Sequence, residues 1–354
     1  MNKLLTLFMG LLLMSISFQS FSQMLVAYVC PPCNNQCDTL SFDKPGVCTH
    51  CGMPLVLKNE SKDKLSPTRK KIAFYLQDGI EILDFAGPLE VFTYAGFDVF
   101  TVSKTKAPIK AQGLLTVTPD YSIQDAPKAD ILAFFGGSSN APASDPDVIK
   151  WVQSQQNIEH YFSVCTGAFV LGEAGLLKGK TATTFHSSLD NLEKSYPETK
   201  VLKNVRFVDN GNLITTAGIS AGIDGALHLV AKLNGFDAAR KTAYYMEYDK
   251  WTPGEGLILA EYNPYKALAN VDNLKLYTGT YEFNNGSKIQ IKVSEREKGL
   301  YAIVRDRNYP LFFTKENTFT DANGKETITF IRDRRNRITG YTLSQDPKVF
   351  HKLN

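Results

Sequence analysis

The sequence has 354 residues and a formal net charge of +3, with 43% hydrophobic, 21% charged and 11% aromatic residues. This length suits two or three domains, and the balance is that of a globular protein, which excludes disorder, collagen and coiled coil. The small net charge gives no support for a nucleic-acid partner.

The chain begins with the pattern of an export signal over residues 1–22. Lys3 precedes an apolar run from Leu4 to Met14, and the small residues Ser20 and Ser22 follow it. A basic start, a short apolar run and small residues at a cleavage site are typical of secretory signals. We therefore expect cleavage after Ser22 and a periplasmic or secreted protein without a membrane span, with an uncleaved anchor as the alternative.

Residues 24–57 contain five of the six cysteines. Two C-x-x-C motifs, Cys30–Cys33 and Cys48–Cys51, are separated by fourteen residues, a spacing typical of zinc ribbons. Cys37 is a fifth candidate ligand and His50 an alternative one. Because so short a segment cannot build a hydrophobic core, we expect zinc or another soft divalent metal to stabilise it. Metal transport and, in an oxidising compartment, disulfide pairing stay open.

Residues 58–69 are polar and predict a linker, and residues 70–252 then alternate strand-like with helix-like segments. Such alternation predicts an α/β fold, a doubly wound and mostly parallel sheet with helices on both faces. The predicted strands are Lys71–Leu76, Asp98–Val102, Ile131–Phe135, His160–Val164, Val205–Val208 and Leu213–Thr216. The predicted helices are Leu89–Tyr94, Pro146–Ser154, Ala168–Glu173, Ser188–Ser195 and Ala221–Leu233.

Residues 270–354 change to short alternating segments, some of them separated by Asn-Gly pairs. This pattern predicts antiparallel hairpins that form a small sandwich or barrel. The six predicted strands are Tyr277–Phe283, Lys288–Ser294, Leu300–Arg305, Pro310–Thr314, Thr327–Arg332 and Ile338–Leu343.

Cys165 stands apart from the other cysteines, because it directly follows the predicted strand His160–Val164 and precedes a predicted helix. This strand–turn–helix order is typical of a nucleophile elbow. The N–H groups and dipole of the helix start favour the thiolate, so we expect a lowered pKa for Cys165. A buried structural cysteine is the alternative, and on spacing alone the more common one.

Two further segments carry candidate site residues. The predicted strand Ile131–Phe135 ends in Gly136 and Gly137, whose backbone N–H groups are candidates for an oxyanion hole, although an ordinary turn has the same pattern. Glu81 and Asp84 lie in an apolar loop, where burial raises the pKa of a carboxyl group. Asp84 is either a proton carrier for the thiol or an acidic residue at a helix N-terminus.

Residues 70–252 resemble the ThiJ/PfpI family of the class I glutamine amidotransferase-like superfamily. Within it they are similar to the branch of isonitrile hydratases and of amidase-like domains in AraC-type regulators. The shared segments follow one another over about 180 residues: Leu83–Phe92, Phe135–Gly137, Ser163–Ala168, Ala174–Thr184, Thr216–Asp224 and Tyr245–Tyr248. The resemblance implies a flavodoxin-like fold, Cys165 at the elbow, Asp84 facing the thiol, Thr166 as a helper, and a homodimer.

The sequence departs from this family at one histidine. Where many relatives have Thr-Thr-His-Trp, this chain has Thr183 and Thr184 followed by Phe185 and His186. Neighbouring residues of a strand face opposite ways, so the displacement favours a Cys–Asp pair over a Cys–His pair. His186 stays a candidate catalytic residue, with a surface or packing role as the alternative.

Weaker resemblances cover the two ends. The cysteine segment is similar to a small heavy-metal-binding domain of bacterial efflux proteins, from which it departs at Cys33 and Cys37. That similarity rests on Tyr28–Pro31, Asp43–Gly46 and Cys48–Met53. Residues 270–354, through Tyr277–Tyr281, resemble the β domain appended to exported serine-β-lactamase-like proteins, which implies an accessory or substrate-shaping module.

The sequence thus predicts an exported cysteine hydratase or amidohydrolase for a small isonitrile, nitrile or amide. Cys165 attacks the polarised carbon, Asp84 transfers the proton, and N–H groups near Gly136, Gly137 and Thr166 stabilise the developing charge. We expect no cofactor in the α/β domain. The alternative is a non-enzymatic redox- or metal-stress protein in which Cys165 is a sensor thiol.

Overall fold

The computed structural model describes residues 28–29, 40–44, 56–57, 69–137, 141–265, 271–282, 286, 288–346 and 348–353. The chain divides into two units, Met1–Thr68 and Arg69–Asn354. In the first, strands β1 (Tyr28–Val29), β2 (Ser41–Phe42) and β3 (Val56–Leu57) form an antiparallel sheet with β1 in the middle.

The remaining predictions for the first unit fall outside the described residues. These are the export signal, most of the linker and the five candidate metal ligands Cys30, Cys33, Cys37, Cys48 and Cys51. The metal-binding ribbon therefore stays a prediction. Among the described residues, no helix combines the length and apolar character needed to span a membrane.

An eight-stranded sheet forms the centre of the second unit. Its strands are β4 (Lys71–Tyr75), β5 (Asp98–Ser103), β8 (Tyr121–Ser122), β9 (Ile131–Phe134), β10 (His160–Val164), β13 (Phe207–Asp209), β14 (Leu213–Thr216) and β15 (Leu257–Ile258). The remaining short strands pair as β6 (Ile109–Ala111) with β7 (Leu115–Val117) and β11 (Thr181–Ala182) with β12 (Lys200–Val201). The order across the main sheet is β15-β13-β14-β10-β9-β4-β5-β8, and only β13 and β14 are antiparallel neighbours. The predicted mostly parallel sheet is confirmed.

Helices cover both faces of this sheet. They are α1 (Ile82–Tyr94), α2 (Pro146–Ser154), α3 (Ala168–Glu173), α4 (Leu189–Ser195), α5 (Ala221–Asn234) and α6 (Phe236–Tyr245). Successive residues of β4 serve the two faces alternately, as the pleat requires. Ile72 and Phe74 pack in the layer with α1 and α5, whereas Ala73 and Tyr75 pack in the layer with α2 and α3.

Helix α1 begins seven residues before the predicted start at Leu89, because Gly87 and Pro88 lie inside it. Both residues usually interrupt helices, and they made this segment look like a loop. Both are buried here, and a Cβ on Gly87 would come within 2.8 Å of Ile223. The consequence is that Asp84 lies in the first turn of a helix.

Residues from 271 onwards form a short helix, α7 (Val271–Lys275), and a closed antiparallel barrel. The barrel strands are β16 (Gly279–Glu282), β17 (Lys288–Ser294), β18 (Gly299–Val304), β19 (Arg307–Lys315), β20 (Thr318–Thr320), β21 (Thr327–Arg332), β22 (Ile338–Leu343) and β23 (Phe350–Leu353). Pairing of β23 with β16 closes the barrel. Two strands, β20 and β23, are additional to the six predicted.

One buried arginine joins the barrel to the α/β domain. Arg240 of α6 donates from Nη1 to the carbonyl of Leu311 (3.1 Å) and from Nη2 to that of Leu300 (3.4 Å). Its guanidinium lies 4.8 Å from the centre of the Phe312 ring. Opposite it, a Cβ on Gly299 would lie 2.3 Å from Cζ, so this contact requires glycine.

Candidate active site

Three neighbouring strands bring the candidate residues together at their carboxyl ends. Cys165 follows β10, Gly136 follows β9, and Ala217 follows β14. The Cys165 N–H donates to the Ala217 carbonyl (3.1 Å), and the Thr184 hydroxyl donates to the Cys165 carbonyl (2.6 Å). A Cβ on Gly136 would be 2.7 Å from the Cys165 Sγ, so glycine allows β9 to approach the thiol this closely.

The backbone at Cys165 has the strained geometry of a nucleophile elbow. Its φ is +58°, in the left-handed region that residues other than glycine seldom adopt. A 3₁₀ turn, Cys165–Gly167, then leads into α3. Holding such a residue costs about 1–3 kcal/mol and persists only where the surroundings enforce it, which is most frequent at functional sites.

Asp84 faces the thiol and is completely buried. Its Oδ2 accepts a hydrogen bond from the Gly136 N–H (3.0 Å), and its Oδ1 accepts one from the Ile219 N–H (2.8 Å). A third hydrogen bond joins its carboxyl group to the side chain of Cys165. Asp84 therefore lies in a first helical turn and also beside the thiol, so its position is compatible with both alternatives.

Burial raises the pKa of Asp84 to about 6. The N–H groups of Ile219 and Gly136, together with the Cys165 side chain, act in the opposite direction, and the charge of Glu81 raises the pKa further. A carboxyl group in this range is mostly ionised at neutral pH and is protonated with little cost. The predicted raised pKa is confirmed.

The expected lowered pKa of Cys165 is wrong. Burial and then the charge of Asp84 raise the pKa of this thiol to about 12, while the Thr166 N–H, which hydrogen-bonds to the sulfur, opposes them. Helix α3 has six residues, so its dipole is small, and the cysteine is only 6% exposed. The resting pair is accordingly a neutral thiol that donates to an ionised carboxylate.

The predicted role of Gly136 as an oxyanion donor is also wrong, because its N–H is already bonded to Asp84. Its carbonyl accepts from the Glu81 N–H (2.9 Å) and from Gln77 Nε2 (3.4 Å), which fixes this part of the loop. Gly136 thus positions the carboxylate. Gly137 remains a candidate donor, whereas the Thr166 N–H is hydrogen-bonded to the sulfur in the resting site. A Cβ on Gly137 would lie 2.2 Å from the Gly79 carbonyl oxygen.

His186 is exposed and lies in a 3₁₀ turn, where its ring packs against that of Phe185 at 4.3 Å. Among the described residues, no hydrogen bond connects His186 with Cys165. Phe185 instead lies on the thiol side, because a Cβ on Gly218 would be 2.4 Å from the Phe185 ring and 3.4 Å from the Cys165 Sγ. The geometry therefore favours the Cys–Asp pair, as the displaced histidine indicated.

Ile219 is the functional residue that sequence reasoning missed. Its φ of +57° is an outlier for a β-branched residue, and this conformation accompanies the hydrogen bond from its N–H to Asp84. No side-chain pattern signals such a backbone role. The one sequence signal for an irregular strand end is Gly218, which directly precedes Ile219.

An open cleft of about 720 Å³ lies beside the elbow. Thr184 and Ala217, both bonded to the Cys165 backbone, line it together with His186 and Arg206. A second cleft of about 720 Å³ lies between α6 and the barrel, away from the thiol. Over the described residues, no group of three or more histidine, cysteine or acidic side chains is arranged to hold a metal ion.

Comparison with known proteins identifies relatives of the α/β domain. Residues 70–232 match the DJ-1/PfpI family. Isonitrile hydratase of Pseudomonas putida is 35% identical over 184 residues, which are 50% of this chain and 78% of that protein. The HTH-type transcriptional regulator CdhR of Pseudomonas aeruginosa is 30% identical over 169 residues, 46% of this chain and 50% of that protein.

Among solved structures, a THiJ/PfpI family protein from Pseudomonas syringae aligns with a TM-score of 0.47 and 28% identity. The alignment covers 54% of this chain and 83% of that one. Residues 70–232 match the family, and this chain covers 78% of the isonitrile hydratase at 35% identity. The chain therefore belongs to the DJ-1/PfpI family.

Proposed function

We propose that this protein is an exported cysteine enzyme of the hydratase or amidohydrolase type. Its substrate is a small nitrogen-containing molecule with a polarised carbon, namely an isonitrile, a nitrile or an amide. The observation that carries the proposal is the hydrogen-bonded pair of Cys165 and Asp84 at the meeting point of three strands. The similarity to an isonitrile hydratase makes isonitriles the first substrates to test.

For an isonitrile the proposed reaction has two stages. The sulfur of Cys165 attacks the terminal carbon, and the thiol proton passes to Asp84 and from there to the same carbon, which leaves a covalent thioimidate. Water then adds to that carbon, a proton moves to nitrogen, and the carbon–sulfur bond breaks. The products are an N-substituted formamide and the regenerated thiol.

The raised pKa values of both groups support this order of events. A thiol with a pKa of about 12 does not ionise ahead of the attack, so its proton leaves as the carbon–sulfur bond forms. Asp84, with a pKa of about 6, is ready to accept that proton and weakly basic enough to release it. No step needs a histidine, in keeping with the exposed position of His186.

The decisive experiment compares the natural protein with Cys165→Ala for conversion of an isonitrile to its formamide. We expect the variant to lose turnover by at least a factor of about 10³ while its circular dichroism and melting temperature stay close to the original. His186→Ala serves as the control and keeps its activity. Retained turnover in Cys165→Ala would dispose of the mechanism, and rapid peroxide oxidation of Cys165 without any turnover would favour the sensor alternative.

A further inference from the structure

Glu81 occupies the N-cap position of α1 but does not cap the helix with its side chain. Residues at this position usually accept a hydrogen bond from the first helical turn, which stabilises the helix start. Here the carboxylate instead accepts a hydrogen bond from Gln112 Nε2 at 2.5 Å. A common local stabilising contact is therefore absent, and the side chain is held in another direction.

Gln112 is itself held in a costly conformation. It lies between β6 and β7 with a φ of +47°, in the left-handed region, where glycine is the usual residue. Its N–H donates to the Ile80 carbonyl at 3.0 Å. The missing helix cap at Glu81 and the positive φ of Gln112 thus occur in one contact. Such departures from local preference are characteristic of functional sites.

The β6–β7 hairpin that carries Gln112 is fastened to the segment before α1. The Gly79 N–H donates to the Lys110 carbonyl (2.8 Å), and the Lys110 N–H donates to Asp78 Oδ1 (2.7 Å). Gln112 is consequently fixed relative to the same segment that carries Glu81. The position of the Glu81 carboxylate is a property of the fold and not of a freely rotating side chain.

Glu81 lies beside the reacting pair, because its N–H donates to the Gly136 carbonyl (2.9 Å) and a Cβ on Gly136 would be 2.7 Å from the Cys165 Sγ. Glu81 raises the pKa of both Asp84 and Cys165, and the charged groups that act most strongly on the thiol are these two acids. An approaching anion is repelled by both of them, whereas a neutral molecule is not. The Phe185 ring on the thiol side is apolar, and Arg206 in the neighbouring cleft is already paired with Asp224.

We infer that Glu81, positioned by Gln112, restricts this site to neutral or cationic electrophiles and excludes anionic ones. Glu81 is a specificity-determining residue in this account, and Gln112 is a positioning residue. The inference deepens the proposed function, because it selects uncharged isonitriles, nitriles and amides over substrates that carry a carboxylate or phosphate. The choice of substrate that follows from the inference rests on the proposed function, but the test of the inference does not.

The test measures alkylation of Cys165 by iodoacetamide, which is neutral, and by iodoacetate, which is anionic. In both reactions a carbon–sulfur bond forms, the carbon–iodine bond breaks, iodide leaves, and the thiol proton passes to solvent. Peptide mass spectrometry of the full-length protein follows Cys165 separately from the other five cysteines. The ratio of the two rate constants cancels any change in the fraction of thiolate, because both reagents consume the same species.

Glu81→Gln removes the charge and keeps an acceptor for Gln112. We expect the ratio of the iodoacetate rate constant to the iodoacetamide rate constant to rise by about two- to tenfold, the range for one charge acting across partly hydrated protein. Glu90→Gln is the matched control, since it makes the same charge change at an exposed position of the same helix and should leave the ratio unchanged. An equal ratio in the two variants would overturn the inference.

Gln112→Gly provides a second variant that keeps every charge. Glycine suits the positive φ, so stability should be unchanged or higher, while the freed Glu81 should shift the ratio in the same direction by a smaller factor. An unchanged ratio in Gln112→Gly would remove the positioning role. Since neither measurement uses turnover, a protein that hydrates no isonitrile can still confirm the inference, and an active hydratase can still contradict it.

Discussion

At the scale of single residues, the site depends on sharing one proton between sulfur and carboxylate. Burial raises the cost of a negative charge on both Cys165 and Asp84. The charge of Asp84 adds to that cost on the sulfur, whereas the thiol lowers it on Asp84 through their hydrogen bond. The N–H groups of Gly136 and Ile219 compensate by holding Asp84 ionised. The pair therefore carries about one negative charge at neutral pH, placed on oxygen until a substrate arrives.

This arrangement predicts the pH dependence of the proposed activity. Asp84 accepts the thiol proton only when it is ionised, and its raised pKa of about 6 places that ionisation just below neutrality. The value of kcat/KM should therefore be full above pH 7 and fall tenfold per unit as the pH drops below about 6. Measured rates between pH 4.5 and 8 check this, and a flat profile across that range would contradict the role of Asp84.

Asp84→Asn is the companion variant for that profile. It should abolish turnover. It should also lower the free energy of unfolding by about 1–3 kcal/mol, because the amide NH₂ group then faces one of the two backbone N–H groups that donate to Asp84. Glu90→Gln, on the same helix, serves as the control for stability.

The strand–turn–helix pattern indicated Cys165, and an acid in an apolar loop indicated Asp84, whereas Thr166 as a helper was implied only by the family resemblance. The sequence did not identify the contribution of Ile219, which acts through its backbone N–H. It also assigned the Gly136 N–H to a substrate oxygen, although that group is bonded to Asp84. Backbone donors have no signature in sequence, so their partners become known only from the fold.

At the scale of elements, the sequence located those with strong apolar periodicity. Strand β10 and helices α2 and α3 have the predicted limits, because apolar segments there end at clear boundaries. Helix α6 was missed, since its buried face includes Arg240 and Thr242, two residues that suggest an exposed surface. Polar residues buried at a contact between domains misled the prediction.

The same contact gives a prediction about stability. Arg240→Met removes the guanidinium and keeps only an unbranched apolar stem, and it leaves two carbonyl groups and the Asp237 carboxylate without their cationic partner. We expect a loss of about 3 kcal/mol in the free energy of unfolding. Urea denaturation followed by fluorescence measures it.

Lys241→Met is the control for Arg240→Met. This neighbour contacts Tyr245 and forms no ion pair among the described residues, so its replacement should change stability by less than about 0.5 kcal/mol. Adding Asp237→Asn to Arg240→Met should recover part of the loss by removing the unpaired charge. Equal stability of Arg240→Met and Lys241→Met would show that the arginine does not anchor the barrel.

At the scale of the whole molecule, we propose that the mature protein begins at Gln23 and binds one zinc ion through Cys30, Cys33, Cys48 and Cys51. Four thiolates at this spacing suit tetrahedral zinc, and metal binding supplies folding energy to so small a segment. The homodimer implied by the family resemblance stays a prediction.

Protein isolated from the periplasm tests this proposal by intact mass, elemental analysis and thiol titration. One zinc per chain is expected, with Cys165 as a free thiol that remains after chelation. Removal of the metal should release the cluster thiols to a thiol reagent and leave the melting of the larger unit unchanged. A metal-free protein with disulfides among the five clustered cysteines would refute the zinc site.

The closure of the barrel has a consequence for how the chain matures. Strand β16, the first of the barrel, is paired on one side by β23, and Phe350 in that last strand is completely buried. The barrel therefore cannot seal until residues 350–353 have left the ribosome. All strands of the parallel sheet precede residue 259, so the α/β domain can assemble before the hairpins of the barrel are complete.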